Sequence, residues 1–349
     1  LQLGAWVVAA AMLSVALRQR PVVTVALALT LWTLLPAVAA HRVTGSMSGP
    51  LAIHPATWLV VMQFAVCFVL DARQLARAGH RHAVLAVVGS TFVVGALATS
   101  VLNGESGFRM LGDQIVGPLV AFALIVGYCT ITTPETNALR VVIIGLAVAE
   151  SLFVLLQSAF GRTLLFEDDY ARLYWFRPDR FDRWMGTTDH PLVLSLMIST
   201  AAVLTIGLRT STLVRAGVLV VLAVGAATTQ SRVGVVVVGS TVIWFIVFSR
   251  INLIARVVCI AAAALAARAV LRSDMVTGVS SRLSNDSGST EARRRAIGFF
   301  FDNLDSMAWT GHGLTSSYEF ARSGGLQTSL ESSFMMYAVD VGLPLAVLY

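Results

Sequence analysis

The sequence predicts an all-α polytopic membrane protein, and three observations carry that prediction. Of its 349 residues, 56% are hydrophobic and only 13% charged, where a soluble domain carries about a quarter charged residues. Mean hydropathy is +0.78. The apolar residues also collect in runs near the length needed to cross a bilayer, with none of the two-residue alternation of a barrel strand, so helices are the expected form.

The runs are 1–17, 21–40, 51–71, 82–102, 113–131, 138–160, 189–208, 213–230, 233–249, 253–271 and 327–349. They predict about eleven spans in one transmembrane domain covering 1–349. The chain opens at Leu1 and stops at Tyr349 within an apolar run, so it is expected to be a piece of a longer protein.

Orientation follows from arginine. All 25 basic side chains are arginine, with no lysine. Arg18 and Arg20, then Arg73, Arg77 and Arg81, then Arg140, Arg209, Arg215, Arg250 and Arg256 fall in loops that share one face if every run spans. The positive-inside rule makes that face cytoplasmic. The net charge of +6 and pI near 9.8 are therefore read as topology signals and not as a nucleic-acid surface. The opposite face receives the two longest polar segments, a loop over 161–188 and a helical lid over 272–326.

The 161–188 loop mixes Glu167, Asp168, Asp169 and Asp179 with Arg172, Arg177, Arg180 and Arg183, and places Tyr170, Tyr174, Trp175, Phe176 and Trp184 between them. Its aromatics fit an interfacial anchor. Its arginines run against the topology bias and fit ligands for an anionic substrate or lipid phosphate. The lid carries Arg293, Arg294 and Arg295 in a row, so they fan around a helix and do not share one ligand. Its Gly311-His312-Gly313 is a flexible turn. Inside the spans, Glu150 and Gln157 lie seven residues apart on one helical face, and Asp340 sits in the last run. Such residues usually face a bundle interior, either bonding helix to helix or contacting substrate.

Cys67, Cys129 and Cys259 all lie in apolar runs, an odd and buried set that argues against a disulfide framework and a cysteine metal site. No His/Asp spacing calls for a metal, and no cofactor is expected. Guanidinium groups grip phosphate oxygens in bidentate fashion and remain charged at any working pH. Arginines alone can therefore stabilise a departing diphosphate.

An Arg-x-x-Gly-Thr-x-x-x-Pro piece (Arg183 to Pro191) opens one span and a Ser-Arg-x-Gly piece (Ser231 to Gly234) opens another. An arginine-rich helix, a Gly-x-Gly turn (Gly311, Gly313) and an Asp-x-Gly ending (Asp340, Gly342) follow. In this order, from about residue 145 onward, the chain resembles the O-antigen ligase / O-antigen polymerase superfamily of bacterial membrane glycosyltransferases. The resemblance implies metal-independent, inverting GT-C-like transfer of a glycan from a polyprenyl-diphosphate carrier to a glycan or lipid acceptor. The reaction would take place on the outer face of the bacterial cytoplasmic membrane, among its lipids. It implies that Arg183 and Arg232 bind the diphosphate.

The ligase branch uses a histidine nine residues and a polar neighbour before a glycine. Here Glu331-Ser332 stands in that place before Gly342, so Glu331 is the expected general base and His312 its rival. Arg180, His190, Arg293, Arg294 and Gln157 are the expected substrate-binding residues. The alternative reading is a transporter or flippase of lipid-linked glycans. A transporter should show an internal repeat, and the chain has none that is visible. The sequence leaves open the sugar, the acceptor, the carrier length, ligation against polymerisation, and oligomeric state.

Overall fold

A backbone that has left water must satisfy its amides within its own segment, and helix is the local way to do so. The computed structural model describes residues 2–46, 49, 51–104, 107–129, 134–173, 183–248, 256–257, 260, 287–307, 309–326, 330 and 332–349. Among these residues every regular element is a helix. The main ones are α1 (Gln2–Ala16), α2 (Pro21–Leu34), α3 (Pro55–Leu70), α4 (Ala72–Arg81), α5 (Ala83–Leu102), α6 (Phe108–Tyr128) and α7 (Pro134–Phe160). They continue as α8 (Glu167–Leu173), α9 (Pro191–Ile206), α10 (Thr212–Thr228), α11 (Arg232–Phe248), α12 (Ser287–Asp302), α13 (Ser316–Ser323) and α14 (Ser333–Val341).

Three described helices, α5, α6 and α7, are long and apolar enough to cross a membrane. The number rises to five if α2 with the short helical stretch Ala37–Thr44, and α3 with α4, each count as one span. Those pairs are bent by 92° and 105°. α1, α9, α10 and α11 are shorter apolar helices. The apolar exterior fits lipid contact: Leu102, Leu213, Val69 and Phe248 are all exposed.

Two expected spans come out differently. The run 21–40 breaks after Leu34, because Pro36 follows and the residue before a proline is driven from helical geometry. The run 327–349 is not one helix. α14 ends at Val341, Gly342 takes φ +86°, and a separate turn Leu343–Ala346 starts with Pro344 in its first turn. Residues 327–329 and 331 of that run lie outside the described residues, as do Arg250 and nearly all of 253–271. The 161–188 segment contains helix α8, and its residues 174–182 lie outside the described ones. The 272–326 segment is described from 287 onward, where it is helical (α12, the turn Leu304–Met307, α13).

The chain divides into two compact units. Unit 1 holds residues 1–28, 40–129 and 286–349, and unit 2 holds 29–39 and 130–285. Unit 1 packs Phe92, Leu111, Phe300, Leu314, Leu330 and Tyr337 into one core. Gly95 and Gly107 of this unit admit Leu345 and Leu314 where a Cβ would collide. Thr24 donates to Gln63 at 2.7 Å, so the polar atoms between α2 and α3 satisfy one another.

Unit 2 packs α7, α9, α10 and α11 around Val154, Leu194, Ile198, Leu222 and Val238. Small residues set the helix spacing, as is usual where lipid supplies no hydrophobic drive. Gly225 of α10 lies against Ser151 of α7, and Gly234 of α11 lies against Ser195 of α9.

Candidate functional site

The loop before α9 is held from below by α7. Glu150 and Gln157, two turns apart on that helix, are 2% and 0% exposed. The Gln157 amide closes a two-way bond with Gly186, donating to its carbonyl at 2.9 Å and accepting from its N–H at 2.9 Å. The Glu150 carboxyl meets the Thr187 N–H at 2.8 Å and the Thr187 hydroxyl at 2.6 Å. That hydroxyl also lies 2.6 Å from the Thr33 carbonyl. One hydroxyl hydrogen cannot serve both oxygens. Gly186 turns at φ +65°, and a Cβ there would run into the Glu150 carboxylate, so glycine is required on two counts. Tyr170 of α8 adds its hydroxyl to the Thr188 carbonyl at 3.0 Å, and Asp189 accepts the Ala37 N–H at 2.8 and 3.0 Å.

This clasp presents Arg183 and His190. Arg183 is half-buried and donates from Nε to the Thr229 carbonyl at 3.1 Å, while the Trp184 N–H reaches the Thr228 carbonyl at 3.4 Å. The two contacts seat Arg183 on the α10–α11 turn, three residues before Arg232, whose side chain is exposed at the first position of α11. The turn is conformationally unusual. Gln230 is left-handed at φ +50°, a region non-glycine residues seldom occupy outside constrained sites. His190 caps α9, its Nδ1 accepting the Leu192 N–H at 3.1 Å. Burial, with the Arg183 charge adding to it, lowers the His190 imidazole to about 4, so it is neutral near pH 7.

Unit 2 therefore sets Arg183 beside His190 and seats it on the turn that leads into Arg232, with Gln157 holding Gly186 of the same loop. Both polar atoms of Gln157 are committed to Gly186, so it acts as a loop anchor where a substrate ligand was expected. Arg180 and Glu331 lie outside the described residues.

His312, Arg293 and Arg294 belong to unit 1. His312 is half-buried, and its N–H donates to the Val339 carbonyl at 2.8 Å, as that of Gly313 does to Asp340 at 2.8 Å. Asp340 is fully buried and accepts the Ser317 N–H at 2.7 Å. Gly311 and Gly342 cross backbone on backbone: a Cβ on Gly311 would lie 2.5 Å from the Gly342 nitrogen. The Gly-x-Gly and Asp-x-Gly pieces, 27 residues apart, thus form one crossing in unit 1. Arg293, Arg294 and Arg295 are all exposed on α12, and Arg294 lies 3.9 Å from Glu291.

Sequence reasoning missed the anchors, namely Thr187 and Asp189 in unit 2 and Asp113 in unit 1. Asp113 takes the His54 N–H at 2.9 Å and the Thr57 hydroxyl at 2.7 Å, beside the α3 cap that the His54 Nδ1 makes to the Ala56 N–H. For the two aspartates, a lone acid opening an apolar run is the available signal. Among the described residues, no three His, Cys, Asp or Glu side chains gather as a cation cage. The chain matches no protein-family model, no curated protein and no solved structure.

Proposed function

We propose that this protein is a membrane glycosyltransferase of the ligase or polymerase type. It transfers a glycan from a polyprenyl-diphosphate carrier to an acceptor hydroxyl on the outer face of a bacterial cytoplasmic membrane. The observation that carries the reading is the seating of Arg183 on the turn that leads into Arg232. Two arginines from segments 49 residues apart are delivered to one end of unit 2, with a neutral histidine beside the first. A diphosphate leaving group needs such fixed cationic donors where negative charge builds up.

The reaction is a single displacement. The acceptor oxygen attacks the anomeric carbon, and the bond from that carbon to the diphosphate oxygen breaks. The electron pair stays with the diphosphate, which Arg183 and Arg232 hold. The hydroxyl proton passes to a general base, for which the sequence offers Glu331 or His312. Arg180 engages the saccharide, and the exposed Arg293 and Arg294 meet lipid headgroups.

The test is transfer of glycan from lipid carrier by purified Arg183→Ala, Arg183→Lys and Arg232→Ala chains, with thermal unfolding measured alongside. Loss of transfer in folded alanine chains supports the reading. Lysine at 183 keeps charge without the planar fork and restores only part of the rate. Full transfer by both folded alanine chains would refute the mechanism.

A further inference from the structure

The strongest unassigned feature lies in unit 1, where α4 breaks from α3 at 105°. α4 is strongly two-faced. Arg73, Arg77 and Arg81 recur every four residues and are exposed, as is His80 beside them. Leu75, Ala78 and Gly79 occupy the opposite face and are half-buried. Asp71 is the one acid at this end of the helix. The helix is pinned in place: the Gln74 side chain donates to the Gly127 carbonyl at 3.1 Å, and Leu75 and Ala78 come within 3.6 Å of where a Gly127 Cβ would sit.

The apolar face of α4 does not close against its neighbours. It roofs a groove of about 460 Å³ between α3, α4, α5 and α6, within the size range of small-molecule sites. Phe64, Leu85, Leu119, Phe122 and Val126 line it. Leu85 and Phe122 are 52% and 46% exposed, so the groove opens to the apolar exterior of the helices and not into a sealed core. An apolar trough open to the exterior thus lies on one face of α4, and a row of three arginines lies on the other.

We propose that α4 and this groove bind one anionic phospholipid, with an acyl chain in the groove and the phosphate against the Arg77 and Arg81 side of the helix. Charge complementarity decides the occupant. A basic amphipathic helix lying in the interface attracts anionic headgroups. The trough beneath it is the length-tolerant apolar slot that an acyl chain needs, and guanidinium favours the phosphate geometry. The proposal is independent of the transferase reading, because none of these residues belongs to the diphosphate site.

The test uses the full chain in detergent, equilibrated with mixed micelles of phosphatidylglycerol and phosphatidylcholine that carry the same acyl chains. It is then washed on an affinity column, and retained lipid is counted by mass spectrometry. Wild type should retain phosphatidylglycerol over phosphatidylcholine by about tenfold or more, as two arginines near a headgroup imply. Arg77→Gln with Arg81→Gln should bring the ratio close to one. Ala86→Phe, which fills the groove from an exposed lining position, should lower retention of both lipids several-fold. Equal retention by wild type overturns the proposal with no variant needed. Undiminished preference in the double variant overturns it too. Thermal protection by inorganic phosphate equal to that by phosphatidylglycerol would show a bare anion site and overturn the acyl-chain half.

Discussion

The loop over 183–190 in unit 2 and the stretch over 309–317 in unit 1 are each held by an acid from an apolar helix. Glu150 grips the first through the Thr187 N–H, and Asp340 grips the second through the Ser317 N–H. Burial is near complete in both, at 2% and 0% exposure. The surroundings differ. Gln157 doubles the hold in unit 2, and the loop there carries a seated guanidinium and a neutral histidine. In unit 1 the acid secures a glycine crossing and the start of α13, while the nearby arginines of α12 are exposed. One polar device thus serves two ends. It fixes a loop bearing a seated guanidinium in one unit and a crossing of two backbone segments in the other, and the fixed position of the guanidinium separates the cases.

Replacing the turn glycines would break both holds most severely. Gly186→Ala strains a left-handed residue and drives a methyl into the Glu150 carboxylate, so unfolding free energy should fall by about 2–5 kcal/mol. Gly311→Ala should cost at least as much, because its methyl meets main chain that cannot rotate away. Chemical denaturation in detergent measures both. A mild Gly186→Ala with normal transfer would show that the clasp is dispensable.

The arginines should divide the two regions by activity. Arg232→Ala is expected to lower transfer by about 10²–10³-fold with folding intact, the usual loss for one preorganised donor. Arg293→Ala and Arg294→Ala, at exposed positions, should change stability by less than about 0.5 kcal/mol and transfer only slightly. Equal losses at all three would erase the contrast drawn here.

The supporting amides come next. Gln157→Leu leaves the Gly186 N–H and carbonyl buried without partners and should cost about 1–3 kcal/mol. Asp340→Asn keeps an acceptor for the Ser317 N–H and should cost only about 0.5–1.5 kcal/mol. Paired denaturation curves check the order, and a costlier Asp340→Asn would reverse it.

The smallest effect concerns pH. His190 is lowered to about 4 in the fold from its ordinary 6.5. Between those values the unfolded chain binds a proton that the folded chain refuses, so stability should fall as pH drops from 6.5 to 4 and level off below. His190→Asn retains a side-chain acceptor for the α9 cap and should flatten that part of the profile, which melting temperatures across the range would show.

Much of the helix pattern was readable because apolar runs announce themselves, and the seven-residue spacing of Glu150 and Gln157 correctly put both on one inward face. Their partners were not readable. Gly186 and Thr187 lie 29 and 37 residues away, and a bond across that distance leaves no local periodicity. The break at Gly342 was written in Gly-Leu-Pro but was outweighed by the hydropathy of the run. Pro36 likewise ends a helix inside a run whose hydropathy continues. Arg183 and Arg232 stand out in the sequence as arginines beside apolar runs, whereas the seating of Arg183 on the Thr229 carbonyl depends on a turn whose left-handed Gln230 has no glycine to advertise it.

The 2.6 Å approach of the Thr187 hydroxyl to the Thr33 carbonyl links residues 154 positions apart, and Asp189 reaches Ala37 across 152. Residues 29–39 thus brace a loop made long after them on the ribosome. A fragment covering 130–285 would emerge with the Thr187 hydroxyl and the Asp189 carboxylate each stripped of a partner. Supplied separately, a peptide spanning Leu29–Ala39 is the natural complement for such a fragment, and a split-gene pair should be cut on either side of that segment and never through it.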